Sequence, residues 1–220
     1  MLDKIYSWLH RKLSKSDEQG EYSAGIWQNA VRDKVVSLSE NTQGKILEVG
    51  CGEGLLLLKL AKLKPKLDIY GIDIWLDILK RAQLKLGQNA IVNAKLTQAD
   101  ATKLPFGGIF FDRVICINVL FNLPSEEMVQ QSIKEISRVL KKDGKIILDI
   151  RNSLNPLLYL KYKFARYYDP TVKDLPLRTY SYKKIADYLE LNGFEIIQKI
   201  AVGFPKNSFA PIFVIEAKRK

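Results

Sequence analysis

The run Lys45-Ile46-Leu47-Glu48-Val49-Gly50-Cys51-Gly52-Glu53-Gly54 limits what this chain can fold into more than any other stretch. It opens as a short apolar run of strand type, breaks at glycines on alternate positions, and passes into the leucine-rich segment Leu55 to Leu63, too long for a second strand. That pattern predicts a strand, a tight loop and the start of a helix. Glycine tolerates positive φ and puts no side chain between backbone and ligand, so the loop can hold a nucleotide-like body closely. Glu48, near the carboxyl end of the strand, offers an acceptor-only carboxylate to hydroxyl or ammonium groups. A phosphate-binding P-loop would require Gly-Lys-Ser/Thr after its longer spacer, and no such string follows. A Gly-x-Gly-x-x-Gly dinucleotide fingerprint would require glycine where Leu55 stands.

After one helix comes Asp68-Ile69-Tyr70-Gly71-Ile72-Asp73-Ile74-Trp75, a second apolar strand ending in a carboxylate. An acid roughly 20 positions beyond a glycine loop lies where a neighbouring parallel strand brings it beside that loop, suited to vicinal ribose hydroxyls. Further on stand Gln98-Ala99-Asp100-Ala101-Thr102-Lys103-Leu104-Pro105-Phe106 and Phe111-Asp112-Arg113-Val114-Ile115-Cys116-Ile117-Asn118. The Glu-x-Gly-x-Gly-x-Gly loop resembles motif I of the class I S-adenosylmethionine (AdoMet) methyltransferases. The Asp-Ala-x-x-Leu-Pro-Phe phrase before a Phe-Asp-led strand is similar to the type 11 group that includes the ubiquinone and menaquinone C-methyltransferases.

Composition sets the scale. With 220 residues, 47% of them hydrophobic, the chain fits one domain with a full core. Lys and Arg total 35 against 24 for Asp and Glu, a net charge of +11. This favours an anionic partner, whether a phosphorylated substrate, nucleic acid or an acidic membrane surface, or simply solvates helix faces. Cys51 and Cys116 stand far apart, so neither a disulfide framework nor a metal site is expected. Cys51 reads as a small packing residue in the loop. No run reaches the length of a membrane span and the start lacks a signal-peptide pattern, so a cytoplasmic protein is expected, with peripheral membrane attachment left open.

Residues 1–20 form a candidate amphipathic helix, with Leu2, Ile5, Leu9 and Leu13 at helical spacing, Trp8 beside them and a basic side. It could lie on an acidic membrane or pack as a lid over a substrate pocket. Residues 21–220 are expected to form one domain, beginning with a helix in which Ile26, Trp27, Ala30, Val31, Val35 and Leu38 share a face. From there the pattern predicts strand 45–50, helix 54–63, strand 68–73, helix 75–86, strand 94–98, strand 111–117, helix 126–141 and strand 145–150. Asp143-Gly144 reads as the turn into the last of these. Ser125 is a candidate N-cap, Ser181 and Gly193 bracket another helix, and Phe194–Val202 and Phe209–Lys218 close the chain as strands. The alternation argues for a parallel sheet with helices on both faces. The resemblance implies a Rossmann-like three-layer α/β sandwich, its seven-stranded sheet mostly parallel with one antiparallel strand near the edge.

In open α/β sheets ligands bind beyond the carboxyl ends of the strands. The resemblance implies S-adenosyl-L-methionine there, with Glu48 and the loop of Gly50, Cys51, Gly52 and Gly54 under its methionine part. It also implies Asp73 on the ribose, Ile74 against the adenine, Asp100 with Ala101 at the adenine's amino edge, and Asn118 bordering the reacting methyl. Tyr22 and Trp27 are further contacts or plain core residues. Trp75 flanks the adenine or is a buried indole, and Asp112 is structural. No metal is expected. The sole histidine, His10, lies in the N-terminal segment, and the related enzymes' histidine is replaced here by the Phe121-Asn122 region, so no catalytic base is assigned.

Acceptor choice falls to a substrate-side insertion at about 152–180, where Leu157, Leu158, Tyr159, Leu160, Tyr162, Phe164, Tyr167 and Tyr168 interleave with Lys161, Lys163 and Arg166. Such a segment suits a small, anionic or lipid-linked acceptor, or stacked nucleic acid, or covers the sheet with its aromatics in the core. The Asn-Pro-Pro-Tyr motif of base amino methyltransferases is absent after the fourth strand, which counts against nucleic acid. An RNA or protein methyltransferase and a non-catalytic AdoMet-fold binding protein stand as the rival readings.

Overall fold

The computed structural model describes residues 26–168 and 175–220; the N-terminal helix expected over 1–20, with His10, and Tyr22 lie outside the described residues. In chain order the elements are α1 (Ile26–Ser39), β1 (Lys45–Val49), α2 (Leu55–Leu63), β2 (Asp68–Asp73), α3 (Leu76–Gln88), β3 (Ala94–Gln98) and β4 (Phe111–Cys116). A 3-10 turn (Leu120–Asn122) leads to α4 (Glu126–Val139), β5 (Leu140–Arg151), α5 (Pro156–Tyr168), α6 (Tyr182–Leu191), β6 (Phe194–Val202) and β7 (Ile212–Arg219). The strands form one sheet in the order β3-β2-β1-β4-β5-β7-β6. Among the described residues only β7, one place in from the edge, runs antiparallel to its neighbours.

Strands covered on both faces read as nearly continuous apolar runs, and alternate residues serve opposite cores. Leu47, Val49, Val114, Cys116, Ile146 and Leu148 join Ile133 and Ile136 of α4 and Ile185 and Leu189 of α6 on one side. Ile46, Ile69, Ile115 and Ile147 meet Val31 and Val35 of α1 and Leu56, Leu57 and Leu60 of α2 on the other. Ser125 caps α4 by accepting a hydrogen bond from the Met128 N–H (3.3 Å), and Ser181 caps α6 through the Lys184 N–H (3.2 Å). The chain leaves β1 toward β2 on one side and returns to β4 on the other. At such a reversal open α/β sheets form a crevice beyond the carboxyl ends of the strands, which here lies next to the glycine loop.

Two strand starts differ from expectation by several residues. Strand β5 starts at Leu140, which already pairs with Phe111, and Asp143-Gly144 lies inside it as an irregularity rather than as the turn before it. Asp143 takes φ +64°, and a Cβ on Gly144 would fall 2.9 Å from the Lys141 carbonyl, so the strand folds tightly before pairing resumes at Lys145. Strand β7 starts at Ile212, not Phe209, because Asn207 closes a turn by accepting from the Phe209 and Ala210 N–H groups, both at 2.9 Å.

Helix α5 occupies the middle of the 152–180 segment. Asn155 is its cap, with Oδ1 accepting from the Leu158 N–H (2.6 Å), and Pro156 takes the first helical position, where a missing N–H costs nothing. The same side chain donates to the Phe209 carbonyl (2.6 Å), while Asn152 donates to the Ser208 and Ala210 carbonyls, each at 2.8 Å. The helix is thereby fastened to the β6–β7 loop. It buries Leu158 and half-buries Tyr162, but Tyr159, Phe164 and Tyr167 stand exposed, so these three aromatic residues do not fill the core. Asn155→Ala should lower stability by about 1–2 kcal/mol in denaturant titration, through loss of the cap and a buried bond. The exposed Leu157→Ala should stay within about 0.5 kcal/mol of the parent.

Candidate active site

The candidate binding residues from Glu48 to Asn118 lie at or just after the carboxyl ends of β1, β2, β3 and β4, which are parallel neighbours, so they converge on one edge of the sheet. Asp73 joins them. Its Oδ2 accepts from the Gly52 N–H (2.9 Å), its Oδ1 accepts from the Trp75 N–H (3.1 Å), and its carbonyl accepts from the Ala99 N–H (3.0 Å). A carboxylate has roughly four acceptor positions, so these bonds leave it further capacity toward the crevice.

Gly50, Gly52 and Gly54 all take left-handed φ, at +71°, +53° and +74°. At Gly50 a side chain would also collide, since a Cβ would lie 2.3 Å from Val119 Cγ2. The loop is held from behind as well. Glu53, nearly buried, pairs with Lys85 (3.2 Å) and Arg81 (3.7 Å) of α3, and the Cys51 N–H donates to the Ile72 carbonyl (2.8 Å). Cys51 is buried, and its thiol titrates well above the ordinary range because burial and the nearby Glu48 and Asp73 all oppose the thiolate. That agrees with a packing role.

Glu48 is 4% exposed, and its Oε2 finds no hydrogen-bond partner among the described residues. Burial pushes its carboxyl well above the usual range, Asp73 adds to the shift, and Arg32 of α1 opposes it. Asp100 accepts from the Thr102 N–H (2.7 Å) and hydroxyl (2.8 Å) through Oδ1 alone, and Ala101 is half-buried against the core. Ile74 is 54% exposed beside Asp73. Trp75 is 49% exposed at the start of α3, which corrects the expectation of a buried indole. Asp112 accepts from the Lys45 N–H and from Lys141, both at 2.8 Å, far from this edge, in keeping with a structural role. Trp27 is half-buried in the core on the α1 side of the sheet.

Asn118 takes φ +60° and is held by two buried charges that motif spacing does not reveal. Its N–H donates to Asp149 Oδ1 (2.7 Å), and its Oδ1 accepts from Arg151 (2.6 Å). Arg151 also binds Asp149, donates through Nε to the Tyr162 hydroxyl (3.0 Å) and lies 4.3 Å over the Phe121 ring. Asp149 and Tyr162 outweigh burial and raise the guanidinium's pKa, so it stays charged. Two charged residues interrupting an apolar strand at its carboxyl end were the available signal. Gly71 is a second supporting residue. A Cβ there would sit 2.6 Å from Leu57 Cδ1 and 3.0 Å from Cys51 Sγ, so the close packing of loop and α2 on β2 depends on its absence.

A family model described as a methyltransferase domain matches residues 46–144. The demethylmenaquinone methyltransferase of Lactobacillus johnsonii is 33% identical over 176 residues, 71% of this chain and 71% of that protein. The phosphatidylethanolamine N-methyltransferase of Cereibacter sphaeroides is 27% identical over 67% of this chain and 71% of its own length. Among solved structures, magnesium protoporphyrin IX methyltransferase from Synechocystis, with bound SAH, superimposes with a TM-score of 0.70 at 22% identity. That match covers 100% of this chain and 96% of that one, and shows a shared fold.

The raised pKa of Glu48 gives a signed expectation. A carboxyl that binds its proton more tightly in the folded state lowers stability as pH rises from its ordinary pKa of 4.5 through the folded value. Glu48→Gln should therefore melt higher than the parent near neutral pH without ligand, and the gain should vanish as pH falls below 4.5. A gain independent of pH would contradict this origin.

Proposed function

This chain belongs to the class I S-adenosylmethionine-dependent methyltransferases, and from that membership we propose that it methylates a small-molecule or lipid-linked acceptor, working beside an anionic membrane surface. The observation that carries the cofactor side is the junction at Asp73, where the glycine loop, the end of β2 and the end of β3 are bonded to one another. The residues present fit the cofactor. Asp73 retains acceptor positions for ribose hydroxyls, and Ile74 offers an exposed apolar face to the adenine. Oδ2 of Asp100, beside Ala101, suits the adenine's amino edge. The partnerless Glu48 Oε2 suits an ammonium group, and Gly50, Cys51, Gly52 and Gly54 admit the methionine part close to the backbone.

AdoMet, when bound, supplies a methyl group already activated on a sulfonium. The chain's own task is to bind, align and exclude water. Arg151 and Asp149 hold the Asn118 turn at the methionyl end and tie it to Phe121 and Tyr162 on the acceptor side. No base is assigned. The named acceptors of the two relatives, a quinone and a phospholipid, support the lipid-linked class.

Incubation with methyl-labelled AdoMet and fractionated extract should place label in lipid or small metabolites. Label confined to RNA or protein, or AdoMet binding with no transfer at all, would overturn the reading. In calorimetry Asp73→Ala should raise the Kd for AdoMet about tenfold or more, the scale of losing hydrogen bonds to a charged group. Because Asp73 also holds the loop, Asp100→Ala gives a second reading. It should weaken binding while leaving the melting temperature within a few degrees of the parent.

A further inference from the structure

A helix packed on a sheet usually turns apolar residues inward and polar ones to solvent. Helix α5 instead carries apolar residues on both sides. Its inner side is Asn155, Leu158 and Tyr162, and on the opposite side Leu157, Leu160 and Phe164 recur at helical spacing in the open, Leu157 at 69% exposure. Leu154 just ahead of the helix is also exposed, as are Phe209 and Phe204 of the β6–β7 loop, the last at 86%. Helix and loop are neighbours. Asn155 bonds to the Phe209 carbonyl. Trp27 bridges them further, with Lys161 Nζ 5.2 Å over its ring and its Nε1 3.4 Å from where a Cβ on Gly203 would lie. Exposed apolar clusters of this kind on a single chain mark interaction sites.

Charge identifies the occupant. No Asp or Glu occurs between Asp149 and Asp169, nor between Glu195 and Glu216, the two stretches that build this face. They carry Lys161, Lys163, Lys199 and Lys206, all exposed, of which Lys199 lies over the Tyr182 and Phe213 rings on the α6 side of the sheet. We propose that the outer face of α5 and the β6–β7 loop dock the protein on a bilayer containing anionic lipid. Protruding leucine and phenylalanine side chains enter the boundary between headgroups and acyl chains, while the lysines meet lipid phosphates. A helix side and a loop tip without a single acid offer little to pair with a protein partner's cations, whereas they complement an anionic lipid surface throughout. The face adjoins the acceptor side of the crevice, because Tyr162 on the inner side of α5 is bonded to Arg151. An apolar acceptor could pass from bilayer to crevice with little travel through water. That delivery role rests on the proposed lipid-linked acceptor, and the docking itself does not.

The test is co-sedimentation of the full chain with vesicles of phosphatidylcholine alone and of phosphatidylcholine mixed with phosphatidylglycerol. Binding should favour the mixed vesicles about tenfold or more and weaken with salt. Leu157→Glu combined with Phe164→Glu should reduce that affinity at least about tenfold. Lys163→Glu and Lys206→Glu should each cost roughly fivefold or more. All these variants alter exposed residues, so melting temperature and calorimetric AdoMet affinity should match the parent. Equal weak binding to both vesicle types overturns the proposal, as does unchanged vesicle affinity in the Leu157→Glu/Phe164→Glu variant. A changed sedimentation coefficient in that variant with vesicle binding intact would assign the face to contacts between copies and overturn it as well. Intact docking with no label entering lipid or small metabolites would instead sink the acceptor reading alone.

Discussion

The proposed binding edge of this protein depends on one bonding arrangement, the Asp73 carboxylate accepting N–H groups from Gly52 and Trp75. A loop of glycines in left-handed conformation has little intrinsic reason to keep its shape, since glycine loses more backbone freedom on ordering than other residues. A nearly buried carboxylate on the next strand gives the loop N–H a charge-assisted partner, which is stronger than a neutral one. On the far side, Glu53 with Lys85 fixes the loop to α3, so it is clamped between two helices and a strand before any ligand arrives. Pre-ordering of this kind reduces the entropy that binding would otherwise have to overcome.

Most of this edge was legible in the residues because the features that make it bind are also those that interrupt regular structure. Strands β2 and β3 fall where the apolar runs place them, and β1 and β4 end one residue short of expectation. Runs buried on both faces and bounded by glycine or acids leave few other readings. What could not be read is what depends on distant neighbours. The start of β5 at Leu140 is fixed by pairing with Phe111, and the exposure of Trp75 reflects how α3 departs from β2. Neither has a local signature. The cap of α5 did have one, since Asn155-Pro156 ahead of a helical run is a start signal.

The proposed acceptor side is built on a different principle. Asn118 is held by side chains, with Asp149 and Arg151 buried together and Tyr162 and Phe121 closing over the guanidinium. A buried ion pair contributes little net stability against its desolvation, yet removing one partner leaves the other charge stranded. Such a cluster is therefore better at fixing geometry than at adding stability. Here it links the turn after β4, the end of β5 and the inner side of α5.

This division has a consequence for how the two ends of the crevice respond to change. The proposed cofactor end is fixed by backbone N–H groups and left-handed glycines, where side-chain substitution either collides, as at Gly50 against Val119, or removes the anchor at Asp73. Its shape is tied to the sheet, with little room for alternatives. The acceptor end hangs from Arg151 through side-chain bonds to α5, whose outward residues make no contribution to the core. Substitutions along the outer side of α5 should alter what approaches the crevice without disturbing the Asp73 junction, because the bonds described for α5 run to Arg151 and the β6–β7 loop rather than to Asp73. Under the proposed docking, a methyltransferase built this way keeps one donor while its choice of acceptor, and the surface it works on, is set by a single helix and a neighbouring loop.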